Sequence, residues 1–226
     1  MEFIAPLGGC PDANALMAYL QRSAEKSRAA LSRELHDQMG GLLVAAAMDV
    51  AFAEQAVAKD DRLRQQLSRA RTALAAAIEL KRKLIESLRP SILDNFGLFE
   101  AIRWEVKQQS ACAGLTCMES YPVAEPEFNR DAAISLFRIV QESLGVALRQ
   151  RSVKSAQVAL SIEGDSLRIC VSYDSDAPDS TLSPDDVLAI CSIAHRAHTF
   201  GGRLTVNRPV AGGTEYRATL PLTRLA

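Results

Sequence analysis

The sequence predicts an α+β protein: an N-terminal helical hairpin, forming a dimeric four-helix bundle, precedes a C-terminal α/β sandwich. Residues 12–57 contain no proline and repeat apolar side chains at helical spacing, and a second such stretch follows before Pro90. After Pro90, helical stretches alternate with short strand-like runs, two of which are joined by the hairpin turn Glu163-Gly164-Asp165. Helices mixed with mostly antiparallel strands favour helices packed on one face of a sheet.

The helical hairpin is expected over residues 11–90, after a loose tail of residues 1–10. Its first helix of about 45 residues would be roughly 68 Å long, which is longer than one compact core covers. Lys59-Asp60-Asp61 suits the turn, and a second helix over 62–88 ends at Arg89-Pro90. Because two antiparallel helices leave both apolar stripes half exposed, we expect a second chain to complete the bundle. The alternative is packing onto the C-terminal half of the same chain.

The sandwich is expected over residues 91–226. Its polar, proline-containing stretch 174–184 is predicted to be a loop. The remaining pattern predicts three helices and five strands. The helices are expected over 97–113, 131–150 and 185–200, and the strands over 115–120, 156–162, 166–173, 203–207 and 214–220.

Composition excludes several classes of protein. The chain has 226 residues, of which 48% are hydrophobic and 23% are charged, as in ordinary globular proteins. A formal net charge of −1 gives no basic field for nucleic acid. Charged residues interrupt every apolar run before the roughly 18 residues that a membrane span needs, and Met1–Pro6 does not resemble a signal peptide. We therefore expect a cytoplasmic protein without a membrane span, and its five cysteines to be reduced thiols.

One histidine on the first predicted helix has the surroundings of a nucleophile. Leu35 and Met39 lie on the apolar stripe, so His36 should lie at its edge with one ring nitrogen facing solvent. A carboxylate beside an imidazole can keep one nitrogen protonated and leave the other free to attack. Asp37 follows His36 directly and Glu34 precedes it by two residues. His36, Asp37 and Glu34 are therefore the candidate catalytic residues.

The segment Arg33–Gly40 resembles the phosphoacceptor helix of two-component sensor histidine kinases, in the subclass whose motif reads E-L-H-D. Three later blocks resemble the same subclass in order and at the expected spacing. They are Ser87–Leu98, Leu136–Leu144 and Gly201–Leu222. The resemblance implies that His36 is the phosphoacceptor and that residues 91–226 form a GHKL-type ATPase-like domain.

The positions at which this family binds nucleotide carry different residues here. Val146 replaces an asparagine that ligates Mg²⁺, and valine has no oxygen for a hard cation. Asp174 remains from an aspartate-glycine block, but Asp176 replaces the first of its glycines. The phosphate-binding glycines of a later block fall at Val187 and Ala189, and at Ser192. The resemblance therefore implies a degenerate nucleotide site and no cofactor on this chain.

These departures favour a histidine phosphotransferase of a phosphorelay, similar to dimeric phosphotransferases that resemble disabled histidine kinases. His36 would shuttle phosphoryl groups between receiver-domain aspartates, oriented by Asp37 and assisted by Glu34, while the receiver supplies Mg²⁺. Gly41 stands where the subclass has a glutamine for dephosphorylation, so phosphatase activity is not expected.

The expected partners are a second copy of the chain, response-regulator receiver domains and a hybrid histidine kinase. Two alternatives remain. One is the catalytic region of an ATP-dependent sensor histidine kinase, which needs a working nucleotide site. The other is a non-catalytic protein that binds a response regulator or blocks a kinase.

Overall fold

A computed structural model describes residues 11–57, 60–150, 153–175, 182–208 and 213–226. Contacts divide them into two compact units. The helical unit is Arg22–Ser91, and the α/β unit combines Ile92–Ala226 with the first turns of the first helix, as far as Gln21. The predicted tail of residues 1–10 and the position Asp176 lie outside the described residues. The division into functional domains at residue 90 stays a prediction.

The helical unit consists of one long helical run and a second helix. Helix α1 (Pro11–Glu34) passes through a π-helical turn (Leu35–Met39) into helix α2 (Gly40–Ala56), and α2 packs along helix α3 (Asp61–Leu88). The side chain of Asp60 accepts hydrogen bonds from the first backbone N–H groups of α3, as a typical N-cap does. The predicted helical region is thus confirmed, whereas the π turn was not expected.

Large apolar side chains of the helical unit face outward. None of the residues of α2 is buried, and Leu42, Met48 and Phe52 are 72%, 54% and 63% exposed. A helix that is apolar on all sides normally lies inside a larger assembly. By length and composition alone, the run Ala13–Ala56 could also cross a membrane, which is a weak indication.

The α/β unit is built on a five-stranded sheet in the order β1-β2-β3-β5-β4. Only β1 and β2 pair in parallel among the described strands, and the other neighbours are antiparallel. Gly164, at φ 57°, turns the chain between β2 and β3 in a conformation that favours glycine. The strands are β1 (Cys117–Ser120), β2 (Val153–Glu163), β3 (Ser166–Ser175), β4 (Arg203–Asn207) and β5 (Thr214–Pro221).

Helices cover one face of this sheet and enclose the core. Helix α6 packs on β2, β3 and β5, and helix α7 packs on β4 and β5. Alternate residues of β3 point into the core, as the two-residue period of a strand requires. This arrangement confirms the predicted α+β class. The helices are α4 (Ser91–Phe96), which was not expected, α5 (Leu98–Ala113), α6 (Arg130–Arg149) and α7 (Pro184–Thr199), and a 3-10 turn covers Leu222–Arg224.

Candidate functional site

The candidate phosphoacceptor lies in the π turn between α1 and α2. His36 and Asp37 are both exposed, so the imidazole is open to a reaction partner. Single π turns within α-helices occur frequently at functional sites. Leu35 is half-buried, as the stripe predicted, but Met39 is 41% exposed among the described residues.

The carboxylates near His36 have different surroundings. The Nε2 atom of Gln38 donates a hydrogen bond to Oε1 of Glu34 at 3.4 Å, so these side chains share one helix face. Asp37 is adjacent to His36 in the chain, and neighbouring residues on a helix do not face each other. Within the described part of the chain, no hydrogen bond to the His36 ring is found. The roles assigned to Asp37 and Glu34 therefore stay predictions.

Two glycines begin α2 one turn after His36. A Cβ atom built on Gly40 would lie 3.4 Å from Nζ of Lys81, whereas one built on Gly41 would have nothing within 4 Å. The chain therefore brings the Lys81 ammonium of α3 to the helix turn that follows His36. Lys81 was not among the residues predicted from the sequence, although a lysine within the apolar stripe of α3 was a usable signal.

The residue expected to replace a magnesium ligand is part of the hydrophobic core. Val146 is 0% exposed on α6. A valine side chain offers no oxygen atom to a cation, and the loss of a magnesium ligand at this position stays a prediction. Among the described residues, no cluster of three or more histidine, cysteine, aspartate or glutamate side chains could hold a metal ion.

The C-terminal end of α6 is joined to the N-terminal end of α7 by Asp186. The Nη2 and Nε atoms of Arg149 donate to Oδ1 of Asp186 at 2.7 and 3.1 Å, and Nε2 of Gln150 donates to Oδ2 at 3.2 Å. Asp186 also forms a capping box with Ser183 at the start of α7. Although burial alone would raise the pKa of Asp186, hydrogen bonds from Arg149, Ser183 and Gln150 hold it below its usual value. The carboxylate is therefore ionised at neutral pH and balanced by one guanidinium.

The other predicted nucleotide positions are spread over β3 and α7. Asp174 is exposed at the end of β3, where it accepts a hydrogen bond from Oγ of Ser155 at 3.1 Å. On α7, Val187 is 47% exposed and Ala189 is half-buried. Their solvent-facing surface at the first turn of α7 is apolar rather than glycine-rich.

Sequence reasoning also missed a contact between the first turns of α1 and α7. His195 is 3% exposed, and its Nδ1 and Nε2 atoms lie 2.9 Å from Oε1 of Gln21 and 3.1 Å from the carbonyl oxygen of Asn14. Nε2 of Gln21 donates to the Ser192 carbonyl at 3.0 Å. These polar contacts hold the start of α1 in the α/β unit.

Comparison with known proteins agrees with the motifs around His36. A family model described as histidine kinase matches residues 27–93. The oxygen sensor histidine kinase NreB of Staphylococcus carnosus is 26% identical over 88% of this chain and 57% of its own length. The sensor histidine kinase MctS of Rhizobium johnstonii is 28% identical over 88% of this chain and 45% of its own length. The chain is thus similar over most of its length to sensor histidine kinases. It spans about half the length of these relatives.

A solved structure shows that the kinase-family fold extends beyond the matched helices. The blue-light activated histidine kinase of Erythrobacter litoralis EL346 aligns with a TM-score of 0.50 and 18% identity, covering 74% of this chain and 64% of that one. At this identity the similarity concerns the fold alone.

The phosphotransferase function predicted from the sequence is wrong. The relatives that cover most of this chain are named sensor histidine kinases or, for UhpB of Salmonella typhimurium at 22% identity over 89% of this chain, a kinase/phosphatase. The prediction gave most weight to replaced nucleotide-contacting residues such as Val146. The relatives instead favour the ATP-dependent kinase that was kept as an alternative.

Proposed function

We propose that this chain is the catalytic region of an ATP-dependent sensor histidine kinase and that His36 is its phosphorylated residue. One observation carries the proposal: His36 is exposed in an E-L-H-D motif inside the kinase-matched residues 27–93, and an α/β unit of kinase-like fold follows in the same chain. A histidine so exposed can be reached by a phosphoryl donor and later by a partner.

The proposed reaction needs few groups from the helix itself. A ring nitrogen of His36 attacks the γ-phosphorus of ATP, a P–N bond forms, and the bond to the β,γ-bridging oxygen breaks so that ADP leaves with the electron pair. The exposed ring loses its other N–H proton to solvent, and the nearby charges of Asp37 and Glu34 assist that step. The phosphoryl group then passes to an aspartate of a response-regulator receiver domain, which supplies Mg²⁺ for that step.

We propose that α2 packs against a second copy of the chain. Three large apolar side chains of α2, Leu42, Met48 and Phe52, are more than half exposed, and Leu80 of α3 is 59% exposed. A matching surface on a second chain would bury all of them in a four-helix bundle. We prefer packing against a second chain to burial in a membrane, because Asp49 and Glu54 lie among the apolar residues of α2. A cytoplasmic location is part of the same proposal.

A second candidate function follows from the Arg149–Asp186 ion pair. In this family the corresponding region meets nucleotide, but here Asp186 engages Arg149 and Gln150 and Val146 has no ligand atom. This arrangement favours a non-catalytic protein that binds a response regulator or blocks a kinase by mixed dimerisation. Such a protein would not need ATP.

Labelling with radioactive ATP separates the two candidates. The purified chain is incubated with Mg²⁺ and γ-³²P-ATP beside the His36→Gln variant, and titration calorimetry measures nucleotide binding. The kinase proposal expects acid-labile label on the native chain and none on His36→Gln, with both variants equally helical by circular dichroism. No calorimetric binding at millimolar ATP would overturn it in favour of the non-catalytic protein. Label that survives in His36→Gln would refute the assignment of His36.

A further inference from the structure

Lys81 occupies a position of α3 that the helical pattern reserves for an apolar side chain. The half-buried positions of this helix recur at Leu74, Ile78, Lys81, Ile85 and Leu88, three or four residues apart. Such spacing marks the face of α3 that packs on a neighbouring helix. A cationic side chain on an apolar packing face is unfavourable unless a group of opposite charge lies beside it.

Gly40 makes room for the Lys81 ammonium. The place that a Cβ atom of residue 40 would take is 3.4 Å from Nζ of Lys81, at the short end of ordinary van der Waals contact. A larger residue at position 40 would push the ammonium away. The glycine in mid-helix, which costs about 1 kcal/mol relative to alanine, thus has a local structural consequence.

Lys81 has no anion of its own within the described residues. Among the described residues, its side chain forms no ion pair and no hydrogen bond. The neighbouring Arg82, by contrast, is paired with Glu79 at 2.8 Å. Because the ammonium of this half-buried residue has no counter-charge there, a negative group arriving beside it is favoured.

His36 lies one turn before Gly40 on the same stretch of helix. The Gly40 N–H donates to the His36 carbonyl oxygen, and residues four apart on a helix have Cβ atoms about 5–6 Å from each other. The ammonium that rests against Gly40 is therefore within reach of a group bonded to the His36 ring. A phosphoryl group there carries close to two negative charges at neutral pH.

We propose that Lys81, lodged against Gly40 on the apolar face of α3, is the electrostatic partner of the phosphoryl group carried by His36. This inference rests on the proposed function only in that His36 becomes phosphorylated. Lys81 acts on the phosphoryl group by charge: it favours the dianion and holds it against the helix until a receiver approaches.

The test loads His36 without ATP. Phosphoramidate is a small phosphoryl donor: a ring nitrogen of His36 attacks its phosphorus, ammonia leaves as the reagent's P–N bond breaks, and the ring loses a proton. The phosphorus resonance that is present in the native chain and missing in His36→Gln identifies phosphorylated His36. Its chemical shift is then followed against pH at low salt, which gives the midpoint of the phosphoryl titration.

The charge of Lys81 should lower that midpoint. We expect Lys81→Met to raise it by about one pH unit, because an opposite charge within a few ångströms shifts a pKa by about this much or more. Lys81→Arg should stay close to the native value. Lys83→Met is the matched control, since Lys83 is an exposed lysine two residues further along α3, and it should leave the midpoint unchanged.

Methionine keeps the length of the side chain and suits the apolar stripe, so Lys81→Met is expected to fold. Equal midpoints in the native chain and Lys81→Met, or equal shifts in Lys81→Met and Lys83→Met, would overturn the inference. The outcome of the ATP labelling described above is independent of this titration. A chain that takes no label from ATP but shows the Lys81-dependent midpoint would refute the kinase proposal and keep this one.

Discussion

Replacing Asp186 with asparagine tests the ionic connection between α6 and α7. The side chain is 4% exposed and accepts hydrogen bonds from Arg149 and Gln150, besides its place in the capping box of Ser183. Asparagine has nearly the same shape but no charge. Its side-chain NH2 group replaces one carboxylate oxygen and therefore faces an N–H donor instead of accepting from it. Asp186→Asn therefore removes the charge-assisted part of the interaction with little change in packing.

The expected loss of stability is modest. Hydrogen bonds to charged groups contribute about 1.5–3 kcal/mol and neutral ones about 0.5–1.5 kcal/mol, so the charge accounts for roughly 1 kcal/mol. The side chain of Arg149 is 54% exposed, which keeps this figure from being larger. The lost attraction between an acidic group and the N-terminus of α7 adds about 0.3–1 kcal/mol. Asp186→Asn should therefore lower the free energy of unfolding by about 1–2 kcal/mol at pH 7.

The difference in the free energy of unfolding between the native chain and Asp186→Asn should disappear in acid. Hydrogen bonds hold the pKa of Asp186 below its usual value in the folded chain, so the unfolded chain binds the proton more readily. The stabilisation is complete above the unfolded pKa of about 3.9 and is lost as pH falls through the lower folded pKa. At a pH below both values, the native chain and Asp186→Asn should be equally stable.

Urea unfolding followed by tryptophan fluorescence measures this difference. Trp104, the single tryptophan of the chain, lies on α5 and so reports on the α/β unit. The control is Asp185→Asn, because Asp185 is an exposed acid in the same turn. It should lower the free energy of unfolding by only the helix-dipole contribution of about 0.3–1 kcal/mol, because the ion pair with Arg149 is formed by Asp186. Equal losses in the two variants, or a loss in Asp186→Asn that persists in acid, would refute the reasoning.

Three further perturbations have defined outcomes. Leu42→Glu places a charge on the surface proposed for the second copy and should convert the dimer to monomer in sedimentation, whereas Lys26→Glu should not. Gly41→Ala should stabilise the helical unit by about 0.5–1 kcal/mol in thermal unfolding, since nothing lies within 4 Å of the added Cβ atom; a loss would contradict this. Burial lowers the pKa of His195, with charge from His198 and Arg196 adding to it, so the unfolded chain binds more protons just below pH 6.5. The free energy of unfolding should fall as pH drops through that window, and His195→Gln should show a weaker fall.

The elements of the fold could be predicted because their signals are local. Apolar spacing located α3 and α6, Arg89-Pro90 gave the end of α3, and Gly164 gave the β2–β3 hairpin. The first turns of α1, as far as Gln21, belong to the α/β unit by their contacts. Their place in the α/β unit depends on Asn14 and Gln21 meeting His195, residues that are far apart in the chain. No local pattern carries that information.

The parts of the candidate site that could be predicted were likewise those with local signals in the sequence. The E-L-H-D motif was visible because His36, its acidic neighbours and the helix that carries them are consecutive in the chain. The placement of Lys81 beside Gly40 and the contacts of Asp186 were not visible, because each depends on two helices meeting. The functional prediction failed for another reason: Val146 shows only that one oxygen ligand is missing, and a missing ligand does not by itself show which reaction the remaining residues perform.

The two glycines after His36 differ in their surroundings within the chain. Each glycine in a helix costs about 1 kcal/mol relative to alanine. At position 40 the missing side chain lets the Lys81 ammonium rest against the helix. At position 41 the described residues offer no neighbour within 4 Å, so packing inside the chain does not require a glycine there. Because Gly41 is exposed five residues after His36, it leaves the helix backbone bare beside the phosphoacceptor. A docking receiver can therefore approach this turn more closely than a side chain at position 41 would allow.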